Sequence, residues 1–480
     1  MNPARPAVAL LLGAGLPLSA QPCTPQWDVA AGNPGISGGY AAPVRLWNDA
    51  SGPGLFVGGS FTAAGGSAAN RYLARWDPVT SAWSSLGSGI SGGFTNAFMT
   101  ALVPFTPGRG PERLVAAGFF DTAGGVPGTA SLAMWNGTTW EAMGTTWTGT
   151  TRGSIWSMAV WNGRLYVGGS VVNSQPSPAP PGTGYPIGGA AWQGVASWDG
   201  QNWRSDASSV INPGGTTPVV NAMAVFNDGS GEALYIAGRF TSIDGVPGTS
   251  LIARWNGSSW SSVGGGLTST SPLFGPEALV VFNDGTGDAL YIAGYTFFGA
   301  GVSTTNVAKW NGSSWSSVGG VLGTGRITSL AAFDDGQGAR LYAGGTAMPG
   351  FNYIARYNAG SWQILGGGVT GAAIPPGNFP SVFGLGVTPD RLYVAGNFTQ
   401  LDNTLSANGL AAWKACPASC YVNCDGSTGA PVLTANDFLC FLNKYANGDP
   451  YANCDASTGA PALTANDFLC FINKFASGCS

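Results

Sequence analysis

The chain has 480 residues, of which 9% are charged; 19 Lys and Arg against 23 Asp and Glu give a net charge of −4, and there is no histidine. The lack of histidine excludes Ser-His-Asp and Cys-His nucleophiles and every His-ligated metal, and the lack of a basic cluster excludes a nucleic-acid partner. Asn, Ser, Thr and turn backbone must keep this surface wet, since an ordinary domain is about a quarter charged.

At the N-terminus, Arg5 precedes an apolar run over residues 7–16 that is too short to span a bilayer, and Leu18-Ser19-Ala20 ends in a small residue suited to cleavage before Gln21. Residues 1–20 are therefore expected to be a secretory signal peptide. The mature chain would carry no transmembrane segment and be secreted, extracellular or attached to the cell surface. The 8 cysteines, an even number, fit an oxidising compartment.

Residues 21–416 are periodic. One unit reads AMAVF at 222–226, LYIAG at 234–238, LIARW at 251–255 and WSSVG at 260–264. Each run is short, rich in β-branched and aromatic residues and bounded by Gly, Asn or Asp, which is the pattern of strands. The third and fourth runs are joined by Asn-Gly at Asn136, Asn256 and Asn311 and by Asp-Gly at Asp199, dipeptides that accept the positive φ angles of a two-residue hairpin. Each unit thus reads as a four-stranded antiparallel meander.

The third-strand aromatics are Trp76, Trp135, Trp198, Trp255, Trp310, Tyr357 and Trp413; the fourth-strand residues are Trp83, Trp140, Trp203, Trp260, Trp315 and Trp362. No fourth strand follows Trp413. Its counterpart is Trp27 at the other end of the mature chain, so the N-terminal strand is expected to complete the last sheet and close a ring. Cys23 and Cys416 flank that closure, and a Cys23–Cys416 disulfide is expected there, worth roughly 4–5 kcal/mol by loop entropy. The predicted fold is mainly β, a seven-bladed β-propeller.

These units resemble the kelch family, in which a Gly-Gly follows the second strand and an aromatic, a turn and a Trp follow it. LFVGG ends at Gly59, LYVGG at Gly169 and LYAGG at Gly345, and WDPVTSAW covers 76–83; the other units carry Ala-Gly. The resemblance implies the propeller fold and no particular function. Copper chemistry of the galactose-oxidase kind needs histidine, and no arginine triad or Asp box points to a sialidase.

The loops NDGSGE at 227–232, NDGTGD at 283–288 and DDGQG at 334–338 have oxygens suited to calcium, but the preferred reading is a hairpin loop between the first and second strands, where Asp and Gly satisfy the turn. Likewise, Asn136-Gly-Thr and Asn256-Gly-Ser match glycosylation acceptors and also make the hairpin turn. The third unit carries a Pro-rich insert, SQPSPAPPGTGYP, with 29 residues from Gly169 to Trp198 where most units need 17. It is expected on the face opposite the Asn-Gly turns, and Trp156, Tyr185 and Trp192 are the candidate ligand-binding aromatics there, with core packing as the alternative for the tryptophans.

Residues 417–480 hold a doublet. NCDGSTGAPVLTANDFLCFLNKYANG at 423–448 recurs 30 residues later as NCDASTGAPALTANDFLCFINKFASG. Oxygen-bearing residues alternate at the start of each copy. A helix follows, with Thr434 as N-cap, Asp437 three residues on, Phe438, Phe441, Leu442 and Tyr445 on one face, and Gly448 at its end.

The doublet resembles a dockerin, the EF-hand-like tandem module that docks secreted proteins onto a cohesin-like receptor, and in particular the cysteine-containing GC-type dockerin tails. The resemblance implies two calcium ions, one held by Asn423, Asp425, Ser427 and Asp437 and one by Asn453, Asp455, Ser457 and Asp467. The loops depart from that family: the first ligand is Asn, the fifth-position ligand is Ser, and extra residues precede Leu433. In the alternative reading, Asp437 and Asp467 only close capping boxes. Six cysteines belong to this tail. Cys424 with Cys440, Cys454 with Cys470 and Cys420 with Cys479 form one pairing; pairing swapped between repeats is the rival, and spacing does not decide it.

The leading expectation is a non-enzymatic, exported display protein whose propeller binds a glycan or an extracellular protein. Its tail would anchor it to the cell envelope or an extracellular assembly. The rivals are a secreted carbohydrate-active enzyme with the same tail and a structural envelope protein.

Overall fold

The computed structural model describes residues 24–416 except 93–96, 145–153, 171–184, 188–189, 193, 213–216, 270, 272, 296, 300–301, 304–305 and 375–378, together with residues 424, 434–449, 452–454 and 464–477 of the tail. The chain divides into two compact units, one of them Pro25–Ala415 and the other containing Cys416–Ser480.

The first unit is mainly β and propeller-like. Its sheets are antiparallel meanders of four strands, for example Val219–Asn227, Glu232–Arg239, Ile252–Trp255 and Trp260–Ser261. The first strands are Ala41–Asp49, Phe98–Phe105, Ser154–Trp161, Val219–Asn227, Pro276–Asn283, Ile327–Asp334 and Val382–Val387; each touches the next, and the last touches the first. The final sheet is completed from the far end of the chain: Gln26–Asp28 pairs with Leu410–Lys414, setting Trp27 opposite Trp413. The strand expected from the missing fourth run is therefore the N-terminal one.

The core lies between adjacent sheets. Phe226, Tyr235 and Ile252 of one sheet pack on Leu290, Trp310 and Trp315 of the next. Leu55 and Trp76 meet Tyr393 and Leu410 where the ring closes. Period-2 alternation gives way to continuous apolar runs in the second strands because both of their faces are covered; Tyr166, Tyr235, Tyr291 and Tyr342 are fully buried there.

The fourth-strand tryptophans do two things. Each packs against the aromatic opposite it, as Trp260 against Trp255 with ring centroids 4.9 Å apart and the planes tilted by 40°. Most also reach back to the preceding sheet. The indole N–H of Trp140 donates to Leu86 O (2.9 Å), Trp203 to Met143 O (2.8 Å), Trp260 to Asp206 O (2.8 Å), Trp362 to Val318 O (3.1 Å) and Trp27 to Gly366 O (2.7 Å). Trp83 departs from this: its buried indole nitrogen has no partner among the described residues.

Above the main sheets, several fourth-to-first connections among the described residues pair with the second-to-third connection of the following sheet. Ile36–Ser37 pairs with Ala63–Ala64, and Val210–Ile211 pairs with Ser242–Ile243. These small ladders put both kinds of connection on one face.

At the opposite ends of the sheets, the Asp-Gly loops are hairpin turns bound to their own strands. Asn227 Oδ1 accepts from the amides of Gly229 and Gly231, while Asp228 is held by the Tyr235 hydroxyl (2.7 Å) and Arg254 (3.2 Å). Asn256 Oδ1 accepts from the amides of Ser258 and Ser259 in the same way. Burial alone would raise the Asp284 carboxyl, but hydrogen bonds from Lys309, Thr286 and Tyr291 hold it well below the usual carboxylate range.

Two outcomes follow. Trp260→Ala should cost about 3–5 kcal/mol in urea unfolding, and Trp260→Phe about 1–3 kcal/mol because Asp206 O loses its donor; a neutral Trp260→Phe would show that the back-bond is not stabilising. For Asp284, a lowered folded pKa means stabilisation that is complete above the unfolded value of about 4 and is lost as pH falls below it. The Tm gap between the wild type and Asp284→Asn should therefore be full at pH 7 and shrink by pH 3, and a gap independent of pH would contradict the assigned ion pair.

Candidate functional site

Every first strand breaks register with its second strand at the same place. The residues skipped are Ala42 and Pro43, Thr100, Trp156, Asn221, Glu277, Thr328 and Phe383. A bulge inserts an unpaired residue and re-aims its side chain. Here the geometry also explains a repeated glycine. A Cβ on Gly238, at the end of the second strand, would collide with Val219 O on the first strand just before the bulge. The Gly that marks each second run is thus the partner of a bulge.

The bulges converge. Ala42, Thr100, Trp156, Asn221, Glu277, Thr328 and Phe383 all line one cavity of about 520 Å³, at the end of the ring where the first strands begin. Several also knit consecutive first strands together. Thr100 Oγ1 donates to Ile155 O (2.6 Å), Asn221 Nδ2 to Pro276 O (3.0 Å) and Thr328 Oγ1 to Val382 O (2.6 Å). Glu277 Oε1 lies 3.0 Å from Arg326 Nη1.

Around this ring stand aromatic walls. Tyr40 and Phe383 have ring centroids 4.9 Å apart, and Trp156, 40% exposed, leans on Phe98 at 5.9 Å. The Arg326 guanidinium lies over the Phe274 ring at 5.2 Å. Arg239 reaches Thr217 O and Leu273 O. Burial pushes the Glu277 carboxyl up, with Arg326 opposing, and burial raises the Tyr40 hydroxyl, with Ser60 opposing.

Of the aromatics expected to bind ligand, Trp156 is in this cavity. Tyr185 and Trp192 face each other in register on a separate hairpin, Tyr185–Ile187 with Ala190–Trp192; their side chains, and the Pro-rich insert at 171–184, lie outside the described residues. Sequence reasoning missed the other bulge residues. Their signal was available in the aligned first runs: MTAL at 99–102, IWSM at 155–158, VNAM at 220–223, PEAL at 276–279, ITSL at 327–330 and VFGL at 382–385. One variable residue stands between an apolar one and a small one.

The tail contributes two helices, α1 (Ala435–Ala446) and α2 (Ala465–Ser477). Asp437 accepts from the Thr434 amide (2.8 Å) and Asp467 from the Thr464 amide (2.7 Å), and both carboxylates are fully buried. Phe441 and Phe471 stack face to face at 3.9 Å between the helices. Disulfides join Cys424 to Cys440 and Cys454 to Cys470, each within its own repeat.

Asn423, Asp425, Ser427, Asp455 and Ser457 lie outside the described residues, as do Cys23, Cys420 and Cys479. Cys416 is disulfide-bonded. No cluster of three or more His, Cys, Asp or Glu occurs among the described residues.

No protein-family model matches the chain, and no curated protein matches it in sequence. Among solved structures it is similar to the extracellular domain of a hybrid two-component system from B. thetaiotaomicron (12% identity, TM-score 0.44, covering 81% of this chain and 40% of that one). It is also similar to the WD40 β-propeller domain of Doa1 (10%, 0.36, 83% and 97%) and to the Niastella koreensis GH74 enzyme (14%, 0.37, 80% and 53%). The chain thus spans less than half the length of the first of these.

Removing one tail bridge with Cys424→Ser and Cys440→Ser opens a loop with a sequence separation of 16, worth about 3 kcal/mol by chain entropy. Hydrogen exchange of the 435–446 amides should accelerate while exchange in 252–261 stays unchanged. Equal protection in both proteins would show that the bridge does not hold α1.

Proposed function

We propose that this is an exported, non-enzymatic binding protein: a seven-bladed propeller that takes a glycan in its axial cavity, carried by a dockerin-like tail that anchors it to a cell-envelope or cohesin-like receptor. The observation that supports binding is the convergence of one bulge residue from every first strand on a single cavity with aromatic walls. Sugar rings present C–H faces that stack on Trp, Tyr and Phe, while hydroxyls take up side-chain and backbone hydrogen bonds. Trp156, Phe274, Tyr40 and Phe383 supply the faces; Asn221, Glu277 and the arginines supply the polar contacts. A few polar groups in a mostly apolar concave site is the usual make-up of a ligand pocket.

Binding is favoured over hydrolysis by the carboxylate inventory. Glycoside hydrolysis generally needs two carboxyl groups flanking the bond, and Glu277 is the carboxylate of this lining, already engaged by Arg326. The tail reading is supported by the duplicated capped helices, the buried Asp437 and Asp467, and the intra-repeat disulfides. In that reading Asp437 and Asp467, with the oxygens of 423–427 and 453–457, would hold calcium, which would order the loops ahead of α1 and α2.

The test is a glycan array with the oxidised full chain. Trp156→Ala should weaken the leading hit at least tenfold, a size expected for loss of one stacked aromatic, without a change in Tm above a few degrees. Release of reducing ends from that hit would instead establish the enzyme reading, and an array with no hit would remove the glycan. For the tail, calcium should raise the Tm of the wild type and not that of Asp437→Asn, Asp467→Asn.

A further inference from the structure

Among the described residues, the cavity lining carries two guanidinium groups and one carboxylate, within a chain whose net charge is −4. The charges are unevenly matched. Arg326 is paired with Glu277 through Nη1. Arg239 donates from Nε and Nη2 to Thr217 O and from Nη1 to Leu273 O. These acceptors are neutral carbonyls, which fix the guanidinium in place and leave its charge without a counter-ion among the described residues.

Arg326 is also held in position, between the Glu277 carboxylate and the Phe274 ring. Its side chain remains 38% exposed, and no hydrogen bond among the described residues occupies its Nε or Nη2. Those two donors form the planar fork that takes a carboxylate in a bidentate manner. Leu273 O is bound by Arg239 while Phe274 lies beneath Arg326, so the two cations flank one short stretch of wall.

We infer that the axial cavity selects a saccharide bearing a carboxylate, which Arg326 receives through its free fork and Arg239 favours through its fixed, unpaired charge. This rests on the glycan-binding reading and narrows it. Glu277 has a defined part in the selection. It orients Arg326, and it also cancels one positive charge that the ligand would otherwise feel.

The experiment is the array of the full chain with neutral, uronic-acid, sialylated and sulfated saccharides, followed by titration calorimetry of the best acidic hit and its methyl ester. The acid should bind at least tenfold more tightly than the ester, and the advantage should shrink as salt is raised. Arg326→Lys keeps the charge and loses the fork, so it should weaken the acid at least fivefold with an unchanged Tm. Glu277→Gln should tighten the acid several-fold, a gain that misfolding cannot produce. Equal binding of acid and ester, hits confined to neutral or sulfated sugars, or weaker binding by Glu277→Gln would each overturn the inference and leave the glycan reading standing. No saccharide bound at all would remove both.

Discussion

The indole N–H donated backwards from one sheet to the carbonyl of the sheet before it is the contact on which the ring depends. A lone meander covers neither of its apolar faces, so the sheets are stable only in contact with one another. Hydrophobic packing supplies most of that stability but is indifferent to register. A hydrogen bond from Trp260 to Asp206 O, or from Trp140 to Leu86 O, has a direction and a length. Repeated around the ring, at every fourth-strand tryptophan except Trp83, it helps set the rotation of a sheet relative to its predecessor. The aromatic packed opposite, such as Trp255, keeps the donating ring in place.

That same arrangement frees the first strands for another use. Because the sheets are located by their outer strands, the inner strands can carry a bulge at a common height without loosening the ring. The bulge residue varies from Ala42 to Trp156 to Glu277, while the facing glycine stays Gly and, outside the first sheet, the residue after the bulge stays small. Fold and lining are thereby separated: fixed positions make the bulge, and one variable position per sheet decides what the cavity presents. Three of the variable residues, Thr100, Asn221 and Thr328, are turned to neighbouring backbone. The aromatic and charged positions give the cavity its chemical character.

Much of the fold was legible in the sequence, for physical reasons. The strands are short and bounded by turn residues, the Trp spacing marks the third and fourth strands, and the orphaned Trp413 has its counterpart in Trp27, as the pairing shows. The Asp-Gly loops also read correctly as turns, because Asn and Asp oxygens bind their own backbone before anything else. The cavity was much less legible. Trp156 stood out because a large aromatic is conspicuous; Thr100 and Asn221 did not, because an extra residue in a strand leaves the apolar pattern almost intact. Arg239 and Arg326 lie at strand edges, and nothing local ties them to each other; only the packing of consecutive sheets brings both to the stretch at 273–275.

The sparse charge of the chain sharpens the meaning of those arginines. With 19 basic residues in the whole sequence, most described cations are spent on nearby acids, as Arg254 on Asp228, Lys309 on Asp284, and Arg340 and Arg356 on Asp335. These pairs sit at the turns between first and second strands, where they hold hairpins. Arg239 breaks that habit. It is anchored by carbonyls, an arrangement that fixes a side chain while keeping its field. A buried or half-buried cation with no counter-ion carries a desolvation cost, and an arriving anion offsets that cost in a way a neutral ligand does not. On the acidic-saccharide proposal, the charge that a purely structural site would have paired is left for the ligand to complete.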